Sequence, residues 1–301
     1  MEKPDADWAF AQYERVRDVL PSAHFAHTSE KISHMLDVAE RFDVFLLDAF
    51  GVLNIGNRTI PGAPEWVRAL KAMGKRIIVV ANGASLTPER SLEKYARLGF
   101  DFSFRDVVAS RGLLAGHLSG RDEPLWGAMV AAGGLGDDLP VEAIVLGDRQ
   151  ADYDRVDGFV FLGSGEWTPA RQDMLRASLL RRPRPVLAGN PDIVAPRETG
   201  FTLEPGWYAH ELARQCDVTP LFFGKPFAAI YDEALARIDP LVSRDRIVMV
   251  GDTLHTDILG GRAAGVRTIL MADYGLFAGR DVAPYIAASG IVPDYILSAG
   301  T

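Results

Sequence analysis

The feature that most restricts the fold of this chain is a series of short apolar runs without polar alternation. Such runs are typical of strands buried on both faces, as in a parallel sheet covered by helices. Helical patterns separate several of them, as expected where crossover helices join parallel strands. The sequence therefore predicts an α/β fold with a doubly wound parallel sheet. The predicted strands are DVFLLD (43–48), RIIVVA (76–81), EAIVL (142–146), GFVFL (158–162), PVLAG (185–189), RIVMVGD (246–252) and RTILM (267–271).

Two helices are predicted on either side of the second of these strands. The segment PGAPEWVRALKAMG (61–74) has proline in its first turn and ends at glycine. The segment TPERSLEKYARLG (87–99) begins with a threonine cap followed by proline and also ends at glycine. Proline near the start and glycine after the end are typical helix boundaries, so both segments are expected to connect neighbouring strands.

The middle of the chain differs in composition, because residues 119–205 are richer in glycine, proline and arginine. A chain of 301 residues with 48% hydrophobic content can fill two cores. We predict that this segment is a smaller α/β domain inserted into a larger Rossmann-like core. The core then comprises residues 1–118, which include an N-terminal helical extension, and residues 206–301.

The charge and the single cysteine exclude several function classes. A net charge of −8 argues against nucleic acid or an anionic membrane as the main partner, since both attract positive surfaces. A phosphorylated substrate would need a local cation against this background. Cys216 alone excludes an internal disulfide and a cysteine-based zinc site. The first residues lack the apolar segment of a secretory signal or membrane span, so we expect a cytoplasmic protein.

Polar residues directly follow three of the predicted strands. Asp48, Asn82 and Asp252 each stand at a strand end. The carboxyl ends of parallel strands share one crevice, so these side chains are expected to lie close together. For Asp48 alone, two interpretations remain open. It is either an aspartate of a turn or helix cap, or a carboxylate held for nucleophilic attack or metal binding.

A second carboxylate follows Asp252 in the segment MVGDTLHTDILGGRAAG. Asp257 is expected near the start of the next helix, where its charge is favourable, and Asp252 alone would suit a tight turn. Two carboxylates beside a buried strand also suit a hard divalent cation such as Mg²⁺. Their shared position after one strand favours a metal site.

The segment FFGKPF places Lys225 shortly before a predicted helix, PFAAIYDEALARI. The helix dipole disfavours a cation at this end, and a bound anion would relieve that conflict. A solvated turn lysine is the alternative interpretation.

Together, the order of Asp48, Asn82, Lys225 and the late aspartate pair resembles the haloacid dehalogenase (HAD) superfamily of phosphohydrolases. The resemblance implies that Asp48 attacks phosphorus and forms an aspartyl-phosphate. It also implies that Asn82, Gly83 and Lys225 bind the phosphate, and that Lys225 offsets charge in the transition state. In that family Mg²⁺ is held by carboxylates and one backbone carbonyl. Here the corresponding residues are Asp48, Phe50 through its carbonyl, Asp252 and Asp257.

The segment AGNPDIVAPRETG resembles the NPD segment in the cap of the NagD-like and phosphoglycolate or pyridoxal phosphatase branch of this family. The resemblance implies that Asn190 and Asp192 face the substrate, although turn preferences alone would also explain them. Downstream, Trp207, Tyr208 and His210 are expected to border the pocket.

The sequence departs from the family at two positions. Phosphatases of the family carry a second aspartate as general acid and base where this chain has Phe50, and Ser or Thr where it has Ala81. His255 and His210 are the candidates to replace the acid. The leading hypothesis is a slow or atypical Mg²⁺-dependent phosphatase of a small phosphorylated metabolite. The alternative is a phosphate-binding or regulatory protein with the same fold, and a homo-oligomer is also left open.

Overall fold

The computed structural model describes residues 4–298. The helices of this part are α1 (Ala6–Arg15), α2 (Ala63–Ala72), α3 (Pro88–Arg97), α4 (Ser110–Leu118), α5 (Gln150–Arg155), α6 (Pro169–Arg181), α7 (Pro205–Gln215), α8 (Ala228–Ala236), α9 (Leu259–Ala263) and α10 (Ala283–Ser289). The strands are β1 (Glu30–Ile32), β2 (Val44–Leu47), β3 (Asn54–Ile55), β4 (Arg58–Thr59), β5 (Arg76–Ala81), β6 (Val107–Ala109), β7 (Trp126–Met129), β8 (Ala143–Val145), β9 (Gly158–Phe161), β10 (Val186–Ala188), β11 (Val194–Arg197), β12 (Gly200–Leu203), β13 (Leu221–Phe222), β14 (Ile247–Gly251), β15 (Arg267–Met271) and β16 (Tyr295–Leu297).

The larger sheet has seven strands in the order β1, β16, β15, β14, β2, β5, β6. All neighbours in it run parallel. The chain proceeds from β2 outward to β5 and β6, and it later returns to place β14 on the other side of β2. The sheet order therefore reverses between β2 and β14. In sheets of this type, ligands bind beyond the strand ends at such a reversal.

Both faces of the larger sheet are covered, as the apolar runs predicted. In β2, Phe45 and Leu47 pack in one hydrophobic cluster, whereas Val44 and Leu46 pack in another on the opposite face. Trp66 of α2 belongs to the first cluster and Tyr231 of α8 to the second. Because successive side chains of a strand point to opposite faces, a polar residue within β2 would be buried on either side.

The smaller sheet has five parallel strands in the order β13, β10, β9, β7, β8. It continues past residue 205, because α7 packs against it through Ala209 and Leu212 and β13 forms its edge. The division into residues 1–118, 119–205 and 206–301 stays a prediction. We propose that its last boundary lies after Phe222, where the smaller sheet ends.

The N-terminal helix α1 joins the larger unit to the loop before β11. The hydroxyl oxygen of Tyr13 accepts a hydrogen bond from the backbone N–H of Ile193, at 3.1 Å. The ring of Tyr13 stacks on His255, with 5.1 Å between centroids. Ile193 and Tyr13 are both buried in the same hydrophobic cluster. The predicted helical extension is therefore packed against the loop before β11 and against the segment that follows β14.

The structure confirms the fold class, and every strand predicted from the apolar runs lies within or next to its predicted segment. The sequence analysis did not identify the short strands β1, β6, β7, β13 and β16 or the hairpins β3–β4 and β11–β12. Within residues 4–298, no helix has the length and apolar character needed to cross a bilayer.

Candidate active site

Three carboxylates meet at the carboxyl ends of β2 and β14. Asp48, Asp252 and Asp257 each offer an oxygen atom, and these atoms lie within 4.8 Å of one another. Asp48 and Asp252 directly follow their strands, and Asp257 lies in the π-helical turn Leu254–Ile258 before α9. The N–H of Asp48 donates to the carbonyl of Val250 at 2.9 Å, so adjacent strands fix the two loops together.

A buried lysine lies against two of these carboxylates. The Nζ atom of Lys225 is 2.5 Å from Asp48 Oδ1 and 2.7 Å from Asp257 Oδ1, and only 1% of its side chain is exposed. Burial alone lowers the pKa of a lysine, but the carboxylates of Asp257 and Asp48 outweigh it and raise the pKa of Lys225. The lysine is therefore a fixed cation of the site, and its interpretation as a solvated turn residue was wrong.

The remaining carboxylate contacts come from backbone and hydroxyl groups. Asp252 accepts hydrogen bonds from the N–H of Leu276 at 2.7 Å and from the hydroxyl of Thr253 at 3.0 Å. Asp257 accepts one from the N–H of Thr253 at 3.1 Å. Neutral donors orient a carboxylate without cancelling its charge. Asp252 and Asp257 are therefore held in place but stay available to a cation.

The cluster contains more negative than positive charge. Three carboxylates face one ammonium group, and burial raises the pKa of Asp48 to about 7 despite the opposing charge of Lys225. Burial, with the charges of Asp257 and Asp48, also raises the pKa of Asp252. A divalent cation with a preference for oxygen ligands would remove this excess, and the donor set fits such an ion. Asp48, Asp252 and Asp257 would hold it, and the carbonyl of Phe50 stays a predicted fourth ligand.

A second hydrogen-bonded group ties Lys225 to the loop after β10. The side chain of Asn82 accepts from the N–H of Lys225 at 2.6 Å and donates to its carbonyl at 3.0 Å. The same Nδ2 atom donates to Asp192 Oδ1 at 2.8 Å. Asn190 in turn accepts from the N–H of Asp192 at 2.9 Å and donates to Glu204 at 3.1 Å. Asn82 therefore joins loops from both sheets beside the carboxylate cluster.

A cavity of about 240 Å³ opens at this cluster. The residues predicted to bind phosphate or substrate that line it are Asp48, Asn82, Gly83, Asn190 and Asp192, and Phe50 and Ala81 line it as well. Burial raises the pKa of Asp192 to about 7, whereas Lys225 and the hydrogen bond from Asn82 oppose this shift. Lys225, Asp252 and Asp257 do not line the cavity themselves, but they lie next to Asp48, which does.

Trp207, Tyr208, His210 and His255 neither line this cavity nor belong to the carboxylate cluster. The ring of His210 stacks on Phe222, with 4.5 Å between centroids, and Nε2 of His255 lies 2.5 Å from Glu14 Oε1. Burial lowers the pKa of both histidines to about 4. Neither is placed to replace the missing acid. The prediction that Trp207, Tyr208 and His210 border the pocket was also wrong, because α7 turns them towards hydrophobic contacts.

Two residues of the cavity wall escaped the sequence analysis. Lys94 of α3 and Arg197 of β11 both line the cavity, and each lies against the ring of Phe50. Burial, with the positive charge of Arg197, lowers the pKa of Lys94 to about 8. In sequence, Lys94 is one of several charges on an amphipathic helix, and Arg197 is one charge in a turn-rich segment. Only the tertiary arrangement distinguishes them from solvated residues.

Comparison with known proteins relates both ends of the chain to one family. Residues 45–137 match a family model described as haloacid dehalogenase-like hydrolase, and residues 222–299 match a model described as HAD-hydrolase-like. An acid sugar phosphatase of Staphylococcus aureus (strain MRSA252) is 27% identical over 231 residues, which cover 76% of this chain and 86% of that protein.

Solved structures share the fold over most of their length. A possible sugar phosphatase of the HAD superfamily from Cytophaga hutchinsonii has a TM-score of 0.74 at 24% identity, covering 90% of this chain and 98% of that chain. A glycerol phosphate phosphatase from Mycobacterium tuberculosis, in complex with calcium, has a TM-score of 0.60 at 25% identity, covering 77% of this chain and 67% of that chain. The NagD protein of Escherichia coli also shares the fold.

We predict that Asp252→Asn weakens Mg²⁺ binding more than Asp257→Asn does. Lys225 already engages one oxygen of Asp257, so this carboxylate contributes partly through its charge. Loss of Asp257 should weaken binding by about 10–100-fold, the range typical of groups beside a metal, and loss of Asp252 by more. Calorimetric titration of both variants with Mg²⁺ measures the order, with the exposed Asp281→Asn as control. The reverse order would refute this difference in roles.

A second prediction concerns Gly275, which has a φ of 73°. A Cβ atom there would overlap the carboxylate of Asp252, so Gly275→Ala should displace this side chain and weaken Mg²⁺ binding at least about tenfold. Gly279→Ala is a matched control, because Gly279 has the same φ of 73° and its added Cβ would meet no atom within 4 Å. Both variants should lose about 1 kcal/mol or more of stability. Equal Mg²⁺ affinity in the two would contradict the prediction.

Proposed function

The chain belongs to the haloacid dehalogenase-like hydrolases, and we propose that it is a phosphatase that hydrolyses a small phosphorylated metabolite at Asp48. The observation that supports this best is the buried Lys225, which contacts both Asp48 and Asp257 in an otherwise acidic cluster. Such a cation suits the charge that spreads over phosphoryl oxygens in the transition state. The names of the related sugar and glycerol phosphate phosphatases agree with this reaction class.

We further propose that the cation of the site is Mg²⁺. The three carboxylates offer only hard oxygen ligands, and water completes the shell of Mg²⁺ in sites of this kind. The structure of the related glycerol phosphate phosphatase is a complex with calcium, which agrees with the use of a divalent ion. When bound, the ion would reduce the repulsion between Asp48 and the phosphate that it approaches.

Within this proposal the residues of the chain have separate roles. Asp48 attacks phosphorus, the ester P–O bond breaks, and its electron pair leaves with the ester oxygen, which must take up a proton. Lys225 and the backbone around Asn82 and Gly83 would hold the phosphoryl oxygens. Water then attacks the aspartyl-phosphate and releases phosphate, so Asp48 is regenerated. Asn82 would also position Lys225, since it bonds both backbone groups of that residue.

Phe50 is the observation that favours a second function. An aromatic ring lies two residues after Asp48 and lines the cavity, but it cannot donate a proton. General acid–base assistance is typically worth about 10²–10⁴-fold. Ala81 likewise lacks a hydroxyl group for the phosphate. A protein that binds a phosphorylated ligand and turns it over poorly is therefore the alternative.

The two functions are separated by assaying the purified protein against a panel of sugar, glycerol and aryl phosphates with and without Mg²⁺. Mg²⁺-dependent release of phosphate, at a rate that scales with protein concentration, supports the phosphatase. Ligand-induced thermal stabilisation without phosphate release supports the binding protein.

We predict that Asp48→Asn lowers phosphate release by at least about 10³-fold, because the amide is nearly isosteric with the carboxylate but is not a nucleophile. Acid-quenched mass spectrometry should detect a phosphorylated peptide containing residue 48 in the unmodified protein and none in the variant. Circular dichroism confirms that the variant is folded, and the exposed Asp101→Asn serves as control. Retained Mg²⁺-dependent hydrolysis in Asp48→Asn would reject the assignment of the nucleophile.

A further prediction tests the missing proton donor. Phe50→Asp should raise the rate for an alkyl phosphate, whose leaving group needs protonation, and should help p-nitrophenyl phosphate much less. The gain is limited to about 10²–10⁴-fold, and it is reduced if Lys94 and Arg197 keep the new carboxylate ionised. Phe50→Asn is the matched control, since it has a similar shape and no acidic proton. If Phe50→Asp is folded but its rate does not rise selectively for the alkyl phosphate, the absence of a general acid at position 50 is not what limits the reaction.

A further inference from the structure

Two cations from different parts of the chain contact the ring of Phe50. Lys94 Nζ lies 4.4 Å from the ring centroid and Arg197 Cζ lies 5.2 Å from it. Lys94 belongs to helix α3 beside the larger sheet, whereas Arg197 ends strand β11 of the hairpin that follows the smaller sheet's β10. Both line the cavity that contains Asp48. Two positive charges therefore contact the ring of Phe50 on the wall of the proposed active site.

The positive charge at this place is only partly balanced. Arg197 donates from Nε to Thr202 at 2.9 Å and from Nη2 to Glu204 at 2.8 Å, so one carboxylate is close to it. Its Nη1 atom and Lys94 Nζ donate no hydrogen bond to any group within residues 4–298. An ammonium group has three donors and is strongly hydrated in solution. Two sets of donors at the cavity wall are thus available to a ligand.

The cavity is otherwise acidic, since Asp48, Asp192 and Glu204 also line it. The reacting phosphate would lie at the strand ends beside Asp48, and Phe50 is two residues further along the same loop. Lys94 and Arg197 contact the ring of Phe50 and line the same cavity, so a substrate that fills this cavity from a phosphate beside Asp48 would bring its remaining part towards them. A neutral leaving group would leave their charges and donors unmatched, whereas an anionic one would accept hydrogen bonds from both.

We propose that Lys94 and Arg197 bind a second anionic group of the substrate. The preferred substrates would then be phosphomonoesters that carry a carboxylate or a further phosphate. This assignment of substrate class rests on the proposed phosphatase function. The shared chemistry is an oxyanion that accepts hydrogen bonds from Lys94 Nζ and Arg197 Nη1.

Binding of phosphonates tests this assignment without requiring turnover. Calorimetric titration, with Mg²⁺ present, compares carboxyethylphosphonate with hydroxypropylphosphonate, which has a hydroxymethyl group in place of the carboxylate. Propylene diphosphonate tests whether a second phosphorus oxyanion is preferred over a carboxylate. We expect an anionic second group to improve affinity at least about tenfold, as charge-assisted hydrogen bonds typically do.

The variants identify which residues cause the preference. Lys94→Gln and Arg197→Gln should each reduce the affinity ratio between the anionic and neutral phosphonates several-fold, and Lys94→Arg should largely retain it. Arg97→Gln is the matched control, because Arg97 is an exposed cation on the same helix. A cation that only packs against Phe50 would change stability or both affinities equally. The ratio therefore separates substrate recognition from a structural role.

Equal binding of the anionic and neutral phosphonates by the unmodified protein would overturn the assignment. So would an unchanged affinity ratio in both Lys94→Gln and Arg197→Gln. A different set of observations would reject the phosphatase proposal and keep the anion subsite. In that case no phosphomonoester is hydrolysed, while the preference for a second anion and its loss in the variants persist. Hydrolysis of neutral and anionic esters at equal efficiency, with equal phosphonate binding, would keep the phosphatase and reject the anion subsite.

Discussion

The arrangement of the site depends on the ion pairs of Lys225 with Asp48 and Asp257. Buried carboxylates this close together repel one another, and breaking a buried ion pair typically costs about 3–5 kcal/mol. Lys225 reduces that repulsion from within the cluster, with almost no exposure to solvent. The lysine itself is fixed through its backbone by Asn82. A single ammonium group thus makes it possible for loops from separate strands to bring carboxylates together at one point.

The same interaction connects the two sheets. Lys225 follows β13 at the edge of the smaller sheet, whereas Asp48 and Asp257 follow strands of the larger one. Asn82 extends the connection to Asp192 after β10. Small rearrangements between the two sheets would therefore change the position of the charge next to Asp48. The packing of α1 against Ile193 and His255 adds a further support close to these loops.

Sequence reasoning identified those parts of the site that depend on local patterns. Apolar runs located the buried strands, and the rule that parallel strand ends converge brought Asp48, Asn82 and Asp252 together. The failures concern contacts between residues distant in sequence. His255 was considered as an acid because it is close to Asp252 along the chain, and His210 because of its predicted place at the return from the inserted domain to the core. Packing directs them instead to Glu14 and Phe222. Lys94 and Arg197 gave no signal, because a solvated lysine and a cavity lysine occupy the same position in a helical pattern.

The absence of a carboxylate at Phe50 and the presence of two cations against its ring are best considered together. Replacing an acidic residue by an aromatic ring removes a proton donor, but it also removes a carboxylate that would have paired with Lys94 and Arg197. Their charge then remains available to a ligand in the cavity. Within the proposed phosphatase function, Phe50 therefore removes a proton donor and at the same time leaves two cations that can bind an anionic group of the substrate.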